Sequence, residues 1–268
     1  LSVEKQKTMS SSSSPQASNG ASNGQGMKLA LKHLTDNPSD AILMLTRLST
    51  VLFTVLYLIP IFGSLSQYSC YQKVLVANAA TSALRLHQRL PSFQLNRNFI
   101  ALLLLEDSAH YLLYSIIFLF NAPITLVLLP VSLFAFLHLL SYTIVLLDKI
   151  GRRQTPFATR LVQFVETYQA SILQMVALTE IFLMPIIIFS VLAGMSSLVT
   201  PFIYYRFISS RYASRRNPYT RQMFHNLRLN AQALVYKPGV PQFVRTTVFR
   251  MIEFISRLAP PASATHSS

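Results

Sequence analysis

Four long apolar runs decide what this chain can become. They lie near 41–62, 98–120, 123–147 and 171–194. Each has the length a helix needs to cross a bilayer, about 20 residues. A chain that must bury them reads as all-α, a multi-pass helical membrane protein. Composition agrees: 51% of the 268 residues are hydrophobic and 12% charged, where a soluble domain carries about a quarter charged. The single cysteine, Cys70, excludes an intrachain disulfide. It reads as a small buried residue, with reversible acylation a lesser alternative.

Around those runs the chain divides into three. Residues 1–36 are a polar, low-complexity tail ("SSSSPQASNGASNGQG") and are expected to be disordered. Leu1–Thr8 precede Met9, a candidate start. The first run, opening at Ala41 behind this tail, is expected to act as an uncleaved signal anchor. The transmembrane region occupies 37–197, and a basic, amphipathic region follows over 198–268. Asp36 or Asn37 before Pro38 marks a helix start. Arg47, inside the first run, can snorkel to headgroups.

Residues 69–90 read as a moderately amphipathic helix stopped by Pro91. It fits a connecting helix packed on its neighbours as well as a membrane-surface one. Runs two and three are separated only by "NAP" at Asn121–Pro123, which predicts a helical hairpin. Pro130 should kink its second arm. Glu180 and Pro185 interrupt the fourth run, and "LVTPFIYYRF" after it is too short to cross alone.

Charge placement creates a difficulty. Basic loops stay cytoplasmic, yet four crossings would put strongly basic segments on both sides. The reading that repairs this has three or four crossings, with the run holding Glu180 and Pro185 as the incomplete one. The basic C-terminal tail is then cytoplasmic. It holds ten Lys or Arg after Leu198 and one acid, Glu253. Its aromatics alternate with arginines, the mark of a membrane–water interface.

The last segment, 241–258, is predicted to be an interfacial helix. At 100° per residue, Phe243, Val244, Val248, Met251, Ile252, Phe254, Ile255 and Leu258 share half the circle. Arg245, Arg250 and Arg257 stand among the polar residues opposite, and only Phe249 is out of place. Such a helix can lie apolar side down, with its arginines on anionic lipid. The alternative is that the same face packs on the protein's own helices.

No catalytic or nucleotide-binding motif is present. The one candidate constellation is Glu106, Asp107 and His110, with Glu180 on another run. Spacings of three and four would let these side chains share a helix face. Ionisable groups within a span are functional candidates by default, for a metal or a proton relay. A di-metal site needs matching Glu-x-x-His elements on other helices, and the other spans offer only Glu180 and His138. The reading is therefore a polar cluster pairing internally or with Arg47, Arg97 or Glu180, and no cofactor or metal. Glu106 lies about 12 Å beyond Asn98 at helical rise. It reads as a polar hinge, with His110–Phe120 as the inserted half of its arm. Direct nucleic-acid binding is not expected, because the arginines adjoin spans and no RNA- or zinc-binding pattern occurs.

The segments "LRLHQRLPSFQL", "LLEDSAHYLLYS", "EIFLMP", "PFIYYRFISSRYASRRNPYTR" and "FISRLAP" resemble the transmembrane protein 33 family. It is also called the Krüppel homologue 2 family and includes the yeast pore-and-ER membrane proteins. The resemblance runs in order from about Asp40 to Pro260. It implies a multi-pass protein of the endoplasmic reticulum (ER) and nuclear envelope, without enzymatic activity or cofactor. It also implies roles in tubular ER organisation, opposing reticulon-type shaping proteins, in nuclear pore distribution or assembly, and in the ER stress response. Relatives bind curved membrane through a C-terminal amphipathic helix. The expected partners are the bilayer, anionic lipids, and ER-shaping or nuclear pore membrane proteins. Two further readings are an adaptor for another ER membrane protein, such as a stress sensor or channel, and a proton-coupled transporter using Glu106, Asp107, His110 and Glu180.

Overall fold

The computed structural model describes residues 34–59, 66–90, 106–214 and 217–258, with isolated positions between 28 and 32 and between 96 and 103. Eight α-helices have described bounds: α1 Pro38–Leu58, α2 Gln67–Arg89, α3 Asp107–Leu119, α4 Leu128–Lys149, α5 Pro156–Leu192, α6 Val199–Ala213, α7 Tyr219–Val235 and α8 Gln242–Leu258. A 3₁₀ turn, Thr125–Val127, leads into α4. The chain folds as an all-α membrane protein. The disorder expected of residues 1–27 lies outside the described residues, whereas 28–29, 31–32 and 34–36 are already helical.

Local chemistry places most helix ends. Pro38 starts α1 where its missing N–H costs nothing. Thr155 caps α5 through its hydroxyl, which accepts from the Ala158 N–H at 3.3 Å, and Pro156 follows. Gly194, at φ +71°, ends the α5 turn in the left-handed region that glycine tolerates. Glu106 is extended (φ −88°, ψ 121°), so α3 begins only at Asp107. The arm expected from Asn98 is therefore interrupted at Glu106: 99–100 and 102–103 are helical before it, and the 13-residue α3 follows it.

Two proline expectations are corrected. Pro130 stands in the first turn of α4, where it interrupts no established ladder. Pro185 neither ends nor splits α5, which runs unbroken for 37 residues, about 55 Å. The fourth run is thus a continuous long helix, not one broken at Pro185.

Cross-helix contacts show how the helices alternate. Thr46 and Tyr57 of α1 meet Thr81 and Tyr71 of α2. Asn78 and Arg89 of α2 meet Ser115 and Glu106 at α3. Tyr114 and Tyr111 of α3 meet Val127 and Phe134. Asn121, beyond α3, and Asp107 meet Thr200 and Arg211 of α6. Each pairing is antiparallel. The last turns of α1, α3 and α5 and the first turns of α2, α4 and α6 consequently share one end of the bundle, and the sequence between them, 59–66, 120–124 and 193–198, contains no charged residue. Lys149, Arg152 and Arg153 stand at the other end, and the stretches of sequence that follow α2 and α6 add Arg97, Arg215 and Arg216.

This alternation removes the charge conflict. Hydropathy marks only the long apolar runs and leaves 69–90 as a connector or surface helix. In the structure α2 returns through the bundle, burying Cys70, Tyr71, Val74, Leu75, Asn78, Thr81 and Ser82. The segment judged too short to cross becomes α6, which also returns, with Tyr204 and Phe207 fully buried.

Among the described residues three helices are long and apolar enough to cross a membrane: Pro38–Leu58, Thr125–Lys149 and Pro156–Leu192. They keep exposed apolar faces, including Leu45 and Leu52 on α1 and Phe182 and Phe189 on α5. Faces of that kind suit lipid rather than water. The core is aromatic: Tyr71, Tyr114, Phe118, Tyr204 and Phe207 pack with Leu183 and Ile187. Tyr114 and Phe118 meet edge-to-face at 4.8 Å between ring centroids.

Candidate functional site

Two arrangements concentrate the chemistry: a buried ion-pair cluster inside the bundle and an exposed helix at its C-terminus. The cluster centres on Arg211, whose side chain is 1% exposed. On α6, Thr200, Tyr204, Phe207, Ile208 and Arg211 form the buried stripe. Their spacing of three and four residues is that of one helix face. The fold therefore draws Arg211 inward along with two aromatics.

Arg211 Nε stands 3.2 Å from Glu180 Oε2, and its Nη1 stands 3.2 Å from Asp107 Oδ1. The guanidinium lies 5.1 Å from the Tyr111 ring centroid and 5.8 Å from that of Phe134, within cation–π range. Tyr111 Oη donates to Glu180 Oε1. Tyr204 Oη donates to the Glu180 carbonyl at 2.7 Å, and Ser214 Oγ donates to Asp107 Oδ1 at 3.1 Å. Two carboxylates and two ring faces surround the buried guanidinium and offset the cost of taking its charge out of water. The arginine thus stays charged in the core.

The four residues singled out from sequence do not form one face. Asp107 and Glu180 meet through Arg211, with His110 Nδ1 3.8 Å from Asp107 Oδ1. Glu106, just before the helix, turns instead to Arg89, Oε2 to Nη1 3.1 Å. The expected i,i+4 pairing of Glu106 with His110 fails because Glu106 is not helical. Arg47 forms no ion pair within 4 Å among the described residues, and Arg97 lies outside them. Arg211, Arg89, Tyr111 and Ser214 were the partners sequence reasoning missed. The buried-face spacing of Arg211 with Tyr204 and Phe207 was the available signal. No group of three His, Cys, Asp or Glu side chains placed to hold a metal occurs among the described residues. As arranged, the cluster clamps α3, α5 and α6 together.

The terminal helix α8 has no buried residue. Val244, Val248, Phe249 and Ile252 are half-buried. Phe249 lies against Tyr236, 5.9 Å between ring centroids, which accounts for its position off the apolar arc. Arg245 sits 6.0 Å over the same Tyr236 ring. Tyr205 Oη donates to the Leu258 carbonyl at 2.9 Å, tying the end of α8 to α6. One edge of the apolar half thus packs on the protein. The other edge is open: Phe243 is 73% exposed and Phe254 63%, with Met251, Ile255 and Leu258 also exposed. Arg250 is exposed beside them, and Arg257 pairs with Glu253 at 2.6 Å.

Comparison with known proteins places these features in a lineage. The model of the Transmembrane protein 33/Nucleoporin POM33 family matches residues 22–261. "Transmembrane protein 33" of Rattus norvegicus is 48% identical over 231 residues, covering 86% of this chain and 94% of the relative. "Krueppel homolog 2" of Drosophila melanogaster is 45% identical over 239 residues, covering 87% and 84%. "Transmembrane protein 33 homolog" of Caenorhabditis elegans is 40% identical over 231 residues, covering 86% and 85%. No solved structure matches.

Proposed function

We propose a function for this chain from one premise: it belongs to the Transmembrane protein 33/Nucleoporin POM33 family. The function is non-enzymatic organisation of membrane shape in the endoplasmic reticulum and nuclear envelope. It includes the tubular network and, following the word nucleoporin in the family's name, the distribution or assembly of nuclear pores. The basic end of the bundle faces the cytoplasm, where positively charged loops are retained. The α7–α8 region then lies against the cytoplasmic leaflet, with anionic lipid as its partner.

The observation that carries this reading is the open apolar edge of α8, with Phe243 and Phe254 mostly exposed and arginines beside them. A helix inserted to headgroup depth occupies area in one leaflet only, and its binding depends on curvature and lipid composition. The bundle holds it at a fixed place on the bilayer.

The test uses the full-length protein with Phe243→Glu and Phe254→Glu. Both positions are exposed, so the bundle should keep its thermal stability. Expressed in cells, wild type should change the density of ER tubule junctions, and the double variant should not. Equal remodelling by both proteins would overturn the assignment to α8.

A further inference from the structure

We propose that a cavity at the basic end of the bundle is a binding site for a phosphate-class oxyanion. The cavity measures about 260 Å³ and is lined from α1 through α6 and the start of α7. Arg47, Arg85, Arg89, Arg211 and His138 line it, with Asp107 as the one lining carboxylate. That volume admits a phosphate group with several waters, or a lipid phosphate with its first ester atoms.

The charges are unequally matched. Arg89 is paired with Glu106, and Arg211 with Glu180 and Asp107. Arg47 and Arg85 form no ion pair within 4 Å among the described residues. Arg85 Nη1 has only the His138 ring, Nε2 at 3.1 Å, and a neutral imidazole cannot cancel its charge. Arg47 is 8% exposed, and its Nε is buried without a hydrogen-bond partner. Nη2 of Arg211, in the same cavity wall, is buried and unpartnered as well.

Two guanidiniums sharing a pocket of low dielectric repel each other, and burying an unpaired charge is costly. A bound anion supplies the missing charge. Guanidinium forks match phosphate oxygens closely, which favours that class of anion. The start of α7 adds to the field: Asn217 and Tyr219 also line the cavity, and Asn217 Oδ1 accepts from the Tyr219 N–H at 3.1 Å. A helix N-terminus favours negative charge. Arg89, whose side chain is 41% exposed, stands where the cavity meets the exterior. The oxyanion can be free phosphate from the aqueous side or the headgroup of an anionic lipid in the adjoining leaflet.

Thermal unfolding of the detergent-solubilised full-length protein tests this. The probes are inorganic phosphate, sodium chloride at matched ionic strength, short-chain phosphatidic acid and short-chain phosphatidylcholine. A ligand of the folded state raises Tm in proportion to its binding. Three proteins are compared: wild type, Arg47→Gln/Arg85→Gln, and Phe243→Glu/Phe254→Glu to remove binding at α8. Wild type and the α8 variant should gain several degrees over the matched control, and the arginine variant should gain nothing. A gain with inorganic phosphate identifies a free oxyanion site; a gain with phosphatidic acid alone identifies a lipid headgroup site. Without added anion, the arginine variant should be at least as stable as wild type, since a repulsive pair has been removed. Three results would overturn the proposal: no gain from either phosphate, an equal gain in the arginine variant, or a marked loss of its anion-free stability.

Discussion

Arg211 Nε lies 3.2 Å from Glu180 Oε2, with the two side chains 1% and 0% exposed. This pair joins α6 to the middle of the longest helix, 31 residues back along the chain. Breaking a buried pair from one side leaves the other charge stranded. Arg211→Met should destabilise the folded bundle by ~3–5 kcal/mol. The double variant Arg211→Met/Glu180→Gln should lose clearly less than Arg211→Met alone. Denaturant unfolding in detergent measures both. Equal losses would mean the pair is not the unit of stability.

Tyr111 hangs from the same carboxylate. Tyr111→Phe keeps the ring against Phe134 and Arg211 and removes only the donor to Glu180. Loss of that bond should cost ~1–3 kcal/mol by the same unfolding measurement. A cost near zero would show that Arg211 and the Tyr204 contact satisfy Glu180 by themselves.

The alternating bundle makes a sharp statement about sidedness. No usable N-x-S/T sequon exists in the chain, since Asn37, the one Asn with Ser or Thr two places on, is followed by Pro38. Acceptor sites built into an extended linker at 193–198 should be glycosylated in microsomes. Sites placed in the same way at 150–155 or 214–217 should remain unmodified. Modification at both ends would refute the up-and-down order of the helices.

The open edge of α8 should bind lipid in a charge-dependent way. For a peptide covering 239–260, replacing Arg245, Arg250 and Arg257 by Gln removes about 1 kcal/mol of attraction to anionic membrane per arginine. Vesicle sedimentation should show roughly a hundredfold weaker binding, with the difference shrinking in high salt. Salt-insensitive binding of the wild-type peptide would contradict this.

Much of the fold was legible because hydropathy is a local property. The apolar runs announce α1, α4 and α5, and the angular pattern over 241–258 announces α8 and its arginine edge. What stayed hidden were the inner helices. α2 buries Asn78, Thr81 and Ser82, polar residues that hydropathy assigns to water. They are tolerated because Asn78 donates to Ser115 and Thr81 to Thr46. α6 was hidden by its two arginines, Arg206 and Arg211, of which the buried Arg211 is paired.

The sequence by itself therefore determined that the chain is helical and membrane-embedded, that its links are basic or neutral by turns, and that its last helix is two-faced. Those features depend on residue type and spacing alone. Only the tertiary structure decided that α2 and α6 return through the bundle, bringing the last turns of α2, α4 and α6 to one end. Only it decided that Arg211 answers Asp107 and Glu180, while Arg47 and Arg85 are left facing each other's charge across a cavity. A side chain's partner is set by helices more than a hundred residues apart in some cases, as for Arg211 and Asp107. No local pattern encodes that distance; packing of the aromatic core fixes it.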